Sequence, residues 1–455
     1  MAIHLKPYPA MRETGIGWLE EIPEHWEILP GRSCIYEKHE SNIGMVEDTV
    51  LSLSYGQIIV KPKEKLRGLV PESFETYQVI DPGDVICRPT DLQNDHTSLR
   101  FGIAKDRGII TSAYICFGMQ PRLESRYGHL LFHAYDLKKI FYGFGSGLRQ
   151  NLSWEDFKYL PCTVPPLLEQ TAIVKFLDYM DQRIKKLIAA KKKLITLLEE
   201  QKQAIIHQAV TKGLDPDVPM KDSGVEWLGR VPEHWGVLQI GKRINLQTGF
   251  PFKSDEFSFS SQDIPLLRGV NISVGSLRWQ EVVYWPAREC ADYAHFELAL
   301  GDIVLGMDRP IINSGIRIAQ LLEKDLPCLL LQRVARIRPL DNINIDYLIH
   351  LLAGKGFMDY LTPIFTGVSV PHLSPDQIRS FRVALPPMDE QLTIVSYLES
   401  ISLEIDATIV KTEQEVSLIN EYRTRLIADV VTGKLDVQEA AAKLPGVDSA
   451  EEGGE

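Results

Sequence analysis

The sequence predicts an α/β chain (α+β within each half). Two globular domains are separated by a pair of long antiparallel coiled-coil helices, and an internal pseudo-two-fold repeat relates the halves. Three observations predict this. Two rare phrases each occur twice in the same order. Each second phrase opens a stretch of more than forty residues free of glycine and proline. Within those stretches apolar residues recur in alternating steps of four and three.

The repeat is explicit. Trp18-Leu19 followed by Pro23-Glu24-His25-Trp26 returns as Trp227-Leu228 and Pro232-Glu233-His234-Trp235, at an offset of 209. Pro165, Pro166, Glu169, Gln170, Ile173, Val174 and Leu177 return as Pro386, Pro387, Glu390, Gln391, Ile394, Val395 and Leu398, at an offset of 221. "NLSWEDF" (151–157) and "HLSPDQI" (372–378) keep that second offset, as do "AVTKGLD" (209–215) and "VVTGKLD" (430–436). These frames bracket two inserts, 27–160 and 236–383, and the rise in offset from 209 to 221 makes the segment between the two phrases 12 residues longer in the second half. The inserts resemble each other poorly beyond echoes such as "PGDVIC" (82–87) and "LGDIVL" (300–305). A duplication that keeps its frame while its inserts diverge implies one job performed on two different targets.

Taken in order, the elements are as follows. Residues 1–160 form a first frame segment and a first insert domain, and 161–215 a central long helix. Residues 216–383 form a second frame segment and insert domain, 384–440 a C-terminal long helix, and 441–455 an acidic tail. Ser153-x-x-Asp156 and Ser374-Pro375-x-Gln377 read as capping boxes of short helices that lead into each Pro-Pro phrase. Glu169 and Glu390 fall in the first turns of the long helices, where negative charge is favoured. The first seam runs through Ile173, Leu177, Met180, Ile184, Leu187, Leu194, Leu198 and Ile205, with Lys191 and Gln201 at skipped positions. The second uses Ile394, Leu398, Ile401, Ile405, Ile419, Tyr422 and Leu426, with Thr408, Thr412 and Glu415 in its middle. Each helix alone exposes an apolar stripe, and the other helix is the place to bury it. A homodimeric coiled coil is the alternative. About 40 residues at 1.5 Å rise make a rod of roughly 60 Å. The repeated Pro and Trp of the PEHW phrase are expected to pack against a helix end.

At 455 residues the chain is long enough for two to four domains. No apolar run approaches the roughly 18–20 residues of a membrane span, and the first residues lack the order of a secretion signal, so a cytoplasmic location is expected. The six cysteines are scattered and form no C-x-x-C pair, which reads as reduced, buried thiols. The net charge of −12 argues against a nucleic-acid partner at first sight. Four acids in the tail account for part of it. A DNA-binding chain of this composition must gather its bases on one face or borrow charge from partner subunits.

A catalytic set is hard to find. There is no G-x-x-x-x-G-K-[ST] loop for ATP and no N-P-P-[YF] motif of a self-contained methyltransferase. "YGFGSG" (142–147) follows no clear strand and reads as a loop, matched by "TGVSVPHLS" (366–374). His129 and His133 have the i,i+4 spacing of a metal pair but no acidic ligand close by, and read as helix histidines. Neither His25 nor His234 belongs to a nucleophile or acid–base set. The expectation is a chain with no catalytic residue, no bound cofactor and no metal of its own. The inserts do carry side chains suited to phosphates and base edges. The candidates for DNA binding are Lys61, Lys63, Arg67, Arg88, Arg149 and Gln150 in the first insert and Lys253, Arg268, Asn271, Arg309 and Arg317 in the second. Arg100, Lys105, Arg107 and Arg278 add to the same charge, and "LQRVARIRP" (331–339) alternates as a strand.

The W-L-x-x-x-P-E-H-W phrase, paired with P-P-x-x-E-Q-x-x-I-V-x-x-L at the head of a long helix and present twice, resembles the specificity subunits of type I DNA restriction-modification enzymes. "GIITSAYICF" (108–117) and "LQRVARIRP" are similar to phrases of their target-recognition domains. The resemblance covers nearly the whole chain. It implies two target-recognition domains, each reading one half of an asymmetric split DNA site, with the helices setting the gap. It also implies a bacterial or archaeal chain that is not an enzyme by itself. Its partners would be double-stranded DNA, two methyltransferase subunits that use S-adenosylmethionine, and motor-nuclease restriction subunits that use ATP and magnesium. The family's base-reading residues vary between members, so the resemblance assigns none here. Two rivals stand beside it: a coiled-coil adaptor for two protein ligands, and a specificity subunit of a methyltransferase-only complex.

Overall fold

The computed structural model describes residues 5–62, 73–95, 97–144, 151–312, 315–365 and 370–445. Eight α-helices lie among them: α1 (Ser125–Leu137), α2 (Trp154–Lys158), α3 (Leu167–Lys212), α4 (Ile345–Ala353), α5 (Lys355–Phe365), α6 (Pro375–Ser380), α7 (Met388–Val431) and α8 (Gln438–Ala442). The chain divides into two compact units. Unit 1 comprises 1–191 with 414–455, and unit 2 comprises 192–413. Each unit therefore holds the beginning of one long helix and the end of the other.

Unit 1 opens with a hairpin, Met11–Ile16 against Leu19–Pro23. Glu27–Pro30 then pairs antiparallel with Pro161–Val164, bringing the two ends of the first insert side by side. Between them lies an antiparallel sheet in the order Ile35–Lys38, Ile115–Met119, Val85–Cys87, Phe101–Ile103. Phe101, Phe117 and Phe132 pack with Phe141 and Phe157 into an aromatic centre sealed by α1 and α2.

Unit 2 repeats the plan. Its hairpin is Met220–Asp222 against Arg230–Pro232, and Gly236–Gln239 pairs with Arg382–Leu385 around the second insert. The sheet runs Ile244–Thr248, Val334–Pro339, Ile303–Gly306, Ile318–Gln320, the same order strand for strand. "LQRVARIRP" supplies an inner strand of that sheet. Alternate residues of Val334–Pro339 face two cores: Ala335 and Ile337 enter the one beneath α4, and Val334 enters a second on the far side.

The long helices are 46 and 44 residues, about 66–69 Å each at 1.5 Å per residue. They pair antiparallel within each unit. In unit 1, Arg423 meets Asp181 at 2.5 Å and Lys191 meets Glu415 at 2.5 Å; in unit 2, Lys202 meets Asp406 at 2.7 Å. Burial alone would raise the Asp181 carboxyl, but Lys185 and Arg423 beside it hold it below the usual range. Ile173, Leu177, Ile184 and Leu426 are buried in unit 1, and Ile394, Leu398 and Ile405 in unit 2. Leu198, Ile401 and Ile419 are half-buried. Leu187 and Leu194, expected in the seam, are instead 47 % and 43 % exposed. The reason is local. Around Lys191 the helix contact in unit 1 carries an ion pair to Glu415 in place of an apolar seam position.

Both capping boxes form. In α2 the Ser153 N–H donates to Asp156 at 2.8 Å, and in α6 the Ser374 N–H donates to Gln377 at 2.8 Å. The long helices end at Gly213 and Gly433, with φ of +77° and +78°. At Gly433 a side chain is excluded twice over: a Cβ would lie 2.3 Å from Cδ of Pro23.

Candidate nucleic-acid interface

The twice-written frame phrases turn out to be two halves of a clamp. In unit 1 the Glu169 carboxylate, in the first turn of α3, is 4 % exposed and accepts three hydrogen bonds. They come from Tyr8 Oη at 2.5 Å, His25 Nε2 at 2.8 Å and Trp26 Nε1 at 2.9 Å. Burial, and then the bond to Glu169, push the Tyr8 phenol well above its ordinary value. The next residue, Gln170, accepts from the Glu124 N–H that begins α1 at 2.8 Å and donates to the carbonyls of Arg122 and Pro165. The Glu-Gln pair therefore ties the PEHW phrase, the long helix and the insert together.

Unit 2 uses the same parts with fewer bonds. His234 Nε2 meets Glu390 at 2.8 Å, and Gln391 accepts from the Asn344 N–H that begins α4 at 2.8 Å. Trp235 is fully buried, yet its Nε1 finds no acceptor among the described residues. The position of Tyr8 is taken by Asp217, which the hairpin repeat places there. A buried tyrosine closes each clamp. Tyr127 Oη donates to the Thr163 carbonyl at 3.1 Å, and Tyr347 Oη to Ala384 at 3.3 Å and Val210 at 3.2 Å. The sequence repeat pointed at Trp26, His25 and Glu169 separately; that they bond to one another was not visible in it.

The expected DNA-binding side chains fall into three groups. Lys63, Arg67, Arg149 and Gln150 lie outside the described residues. Lys61, Lys253 and Arg309 are exposed, and Lys253 pairs with Glu256 at 3.2 Å. The other four are tied into loops. Arg88 pairs with Asp95 at 3.3 Å and is partly exposed. Arg268 donates to the Glu281 carbonyl.

Asn271 and Arg317 make their hydrogen bonds within the fold. Asn271 is 2 % exposed, accepting from the Arg268 N–H at 3.0 Å and donating to the Arg278 carbonyl at 3.0 Å, so it braces its own turn. Arg317 gives Nε to the Ile272 carbonyl at 3.0 Å and Nη1 to the Asp308 carbonyl at 3.1 Å. Arg100 is fully buried and holds four loop carbonyls. Charge and loop placement drew attention to these residues; Asn271 and Arg100 are buried, and a buried polar group must find partners inside the fold. In unit 2 the result gathers the Arg268–Asn271 turn, the Asp308–Arg309 turn and Arg317 at one place.

His129 and His133 stack at 6.0 Å, and burial lowers both, to about 3 and about 4. Among the described residues no group of three or more His, Cys, Asp or Glu could hold a metal ion, and no helix is long and apolar enough to cross a membrane. Five cysteines are buried and Cys290 is partly so.

Comparison with known proteins agrees with this arrangement. The family model described as "Type I restriction modification DNA specificity domain" matches residues 105–197 and 232–417. The chain is 29 % identical to the MjaVIII type I restriction enzyme specificity subunit of Methanocaldococcus jannaschii over 92 % of this chain and 94 % of that one. It is 31 % identical to the EcoAI specificity subunit of Escherichia coli over 50 % of this chain and 38 % of that one. A solved chain from work on assembly and conformational transition of the type I R-M system superposes with a TM-score of 0.66 at 15 % identity, covering 91 % of this chain and 99 % of that one, which shows a shared fold. With matching models in both halves, the chain belongs to the type I restriction-modification DNA specificity family and is the DNA sequence-recognition subunit of such a system.

Proposed function

We propose that this chain recognises a bipartite, asymmetric DNA site and directs methyltransferase and restriction subunits to it. Unit 1 reads one half and unit 2 the other, and the paired helices fix the gap. The observation that carries this reading is the duplication itself: two clamps built from the same Glu-Gln and PEHW parts hold two sheets of identical strand order whose surface side chains differ. Lys61, Arg88, Lys253, Arg268 and Arg309 supply charge to phosphates and base edges, and Lys63, Arg67, Arg149 and Gln150 belong to the same expectation. The chain's overall acidity assigns the rest of the DNA-binding charge to partners.

Two methyltransferase subunits, one for each copy of the frame, are the natural complement of a duplicated scaffold. Apolar side chains support a docking role for the helices: Leu187, Leu418 and Tyr422 stand exposed in unit 1, and Leu194, Leu197, Leu403 and Val410 in unit 2. S-adenosylmethionine belongs to those subunits, and ATP and magnesium to motor-nuclease subunits. The test is to map modified adenines across the host genome with and without this gene. A two-part motif with a fixed gap, lost on deletion, is the expected result. Modification unaffected by the deletion overturns the reading, and stable capture of two protein ligands without any DNA requirement favours an adaptor instead.

A further inference from the structure

In each unit the chain leaves an inner strand of the sheet and returns as its edge strand: from Cys87 to Phe101 in unit 1, and from Gly306 to Ile318 in unit 2. The two connections share little sequence, "RPTDLQND" against "MDRPII" at their outgoing ends. Their construction is nevertheless the same, fixture by fixture.

Counting from the first residue of the inner strand, Val85 or Ile303, the seventh residue is Asp91 in one and Arg309 in the other. Both adopt positive φ, +63° and +45°. Neither is glycine, so each conformation carries a steric cost that its surroundings must enforce. The carbonyl just before it, Thr90 or Asp308, accepts from the arginine that immediately precedes the returning strand: Arg100 Nη1 at 2.7 Å, Arg317 Nη1 at 3.1 Å. One residue further back, the carbonyls of Pro89 and Met307 accept from the N–H of Leu152 and Leu373, both at 2.8 Å. Those leucines belong to the repeated N-L-S and H-L-S phrases. Finally, the N–H of the left-handed residue is itself tied down, from Asp91 to Asn151 Oδ1 at 3.1 Å and from Arg309 to the Pro371 carbonyl at 2.8 Å.

Arg100 makes the case strongest. Its guanidinium has no exposed surface and serves the carbonyls of Arg88, Thr90, Asp91 and Asp95 and the Tyr142 hydroxyl. A cation buried on carbonyls is expensive, and what it provides is a loop with one shape. The residue so held carries opposite charge in the two units. Arg309 is exposed; Asp91 is partly exposed and accepts from the exposed Asn94 at 2.8 Å.

We infer that Asp91 and Arg309 are specificity-determining positions, one in each unit, and that Arg100 and Arg317 are the positioning residues that aim them. The inference rests on the reading of the units as DNA half-site readers. A carboxylate accepts from the amino group of cytosine or adenine, whereas a guanidinium donates to O6 and N7 of guanine. Unit 1 therefore selects an amino-bearing base at the position Asp91 reaches, and unit 2 a guanine at the position Arg309 reaches.

The test places Asp91→Gly and Arg309→Gly in the native gene and maps modified adenines across the host genome. Glycine keeps the positive φ without strain, so the loop survives the change. Arg309→Gly is expected to lower preference for one guanine, in one half-site only, by roughly 5- to 150-fold, the discrimination of a bidentate contact. Asp91→Gly is expected to relax one cytosine or adenine in the other half-site. Arg317→Met is expected to relax the same guanine as Arg309→Gly and no other base, a pattern that mere loss of folded protein does not produce. Uniformly weaker modification with an unchanged motif would make these residues phosphate contacts and overturn the inference, as would an unchanged motif at full strength. If the unaltered gene itself yields no two-part motif, the half-site reading fails first, and that outcome is separate.

Discussion

Glu169 and Glu390 occupy the same place in the repeat but hold different loads, which permits an internally controlled experiment. In Glu169→Ala, the buried Tyr8 hydroxyl and the buried Trp26 indole N–H both lose their acceptor. A buried donor left without a partner costs about 1–3 kcal/mol. The lost charge at the start of α3 adds about 0.3–1 kcal/mol. The His25 pair adds about 0–1 kcal/mol, because the imidazole is 48 % exposed. With two such donors, the total is about 2–8 kcal/mol. Glu390→Ala loses only the pair to the 47 % exposed His234 and the same helix-start charge, about 1 kcal/mol, since Trp235 has no bond there to lose. The assay is hydrogen exchange in increasing urea, read on α1 for unit 1 and α4 for unit 2. Glu169→Ala should lower the urea midpoint of α1 several times more than Glu390→Ala lowers that of α4, with Glu169→Gln in between. Equal losses would show that the three-bond clamp adds nothing over the one-bond clamp and refute the reasoning.

Two further outcomes follow from named contacts. Burial, then Arg126 beside His129 and Arg423 beside His133, lower these imidazoles to about 3 and about 4, whereas in an unfolded chain they titrate near 6.5. Between those values the unfolded chain binds more protons, so unit 1 should lose stability as pH falls from about 6.5 to about 4. The exchange midpoint of α1 in a His129→Gln, His133→Gln variant should depend less steeply on pH in that window; an identical slope would exclude the histidines. Deleting one heptad from α3 together with the facing heptad of α7 shortens each rod by about 10 Å, or about three base pairs at roughly 3.4 Å each. The gap in the recognised site should shrink accordingly while both half-sites persist, and an unchanged gap would separate helix length from spacing.

Much of the architecture was written plainly in the chain. Absence of glycine and proline bounded both long helices, because Gly213 and Gly433 are the left-handed caps that end them. Both capping boxes were legible for a similar reason: their chemistry is local. What escaped was anything decided by pairing across the fold. Leu187 and Leu194 obey the heptad as well as Leu177 does, yet they stand half in solvent, because periodicity does not say how closely two helices approach around Lys191 and Glu415. A division into serial domains was equally natural from the sequence. The compact units instead join 1–191 with 414–455, since antiparallel helices return the end of the chain to its beginning, where the Lys6 and Asp436 backbones bridge. The DNA-binding candidates were the least legible. Arginine reads as surface charge until its partners are known, and Arg100 and Arg317 proved to be loop supports, while Asp91, acidic and unnoticed, holds the position matched by Arg309.

Exchange of residues 27–160 for the corresponding insert of a different member of the family, followed by mapping of modified adenines, addresses the independence of the two readers most directly. One half-site should change to that of the donor, with the other half-site and the gap retained. A change in both halves, or in the gap alone, would contradict the division of recognition between two units on a common frame.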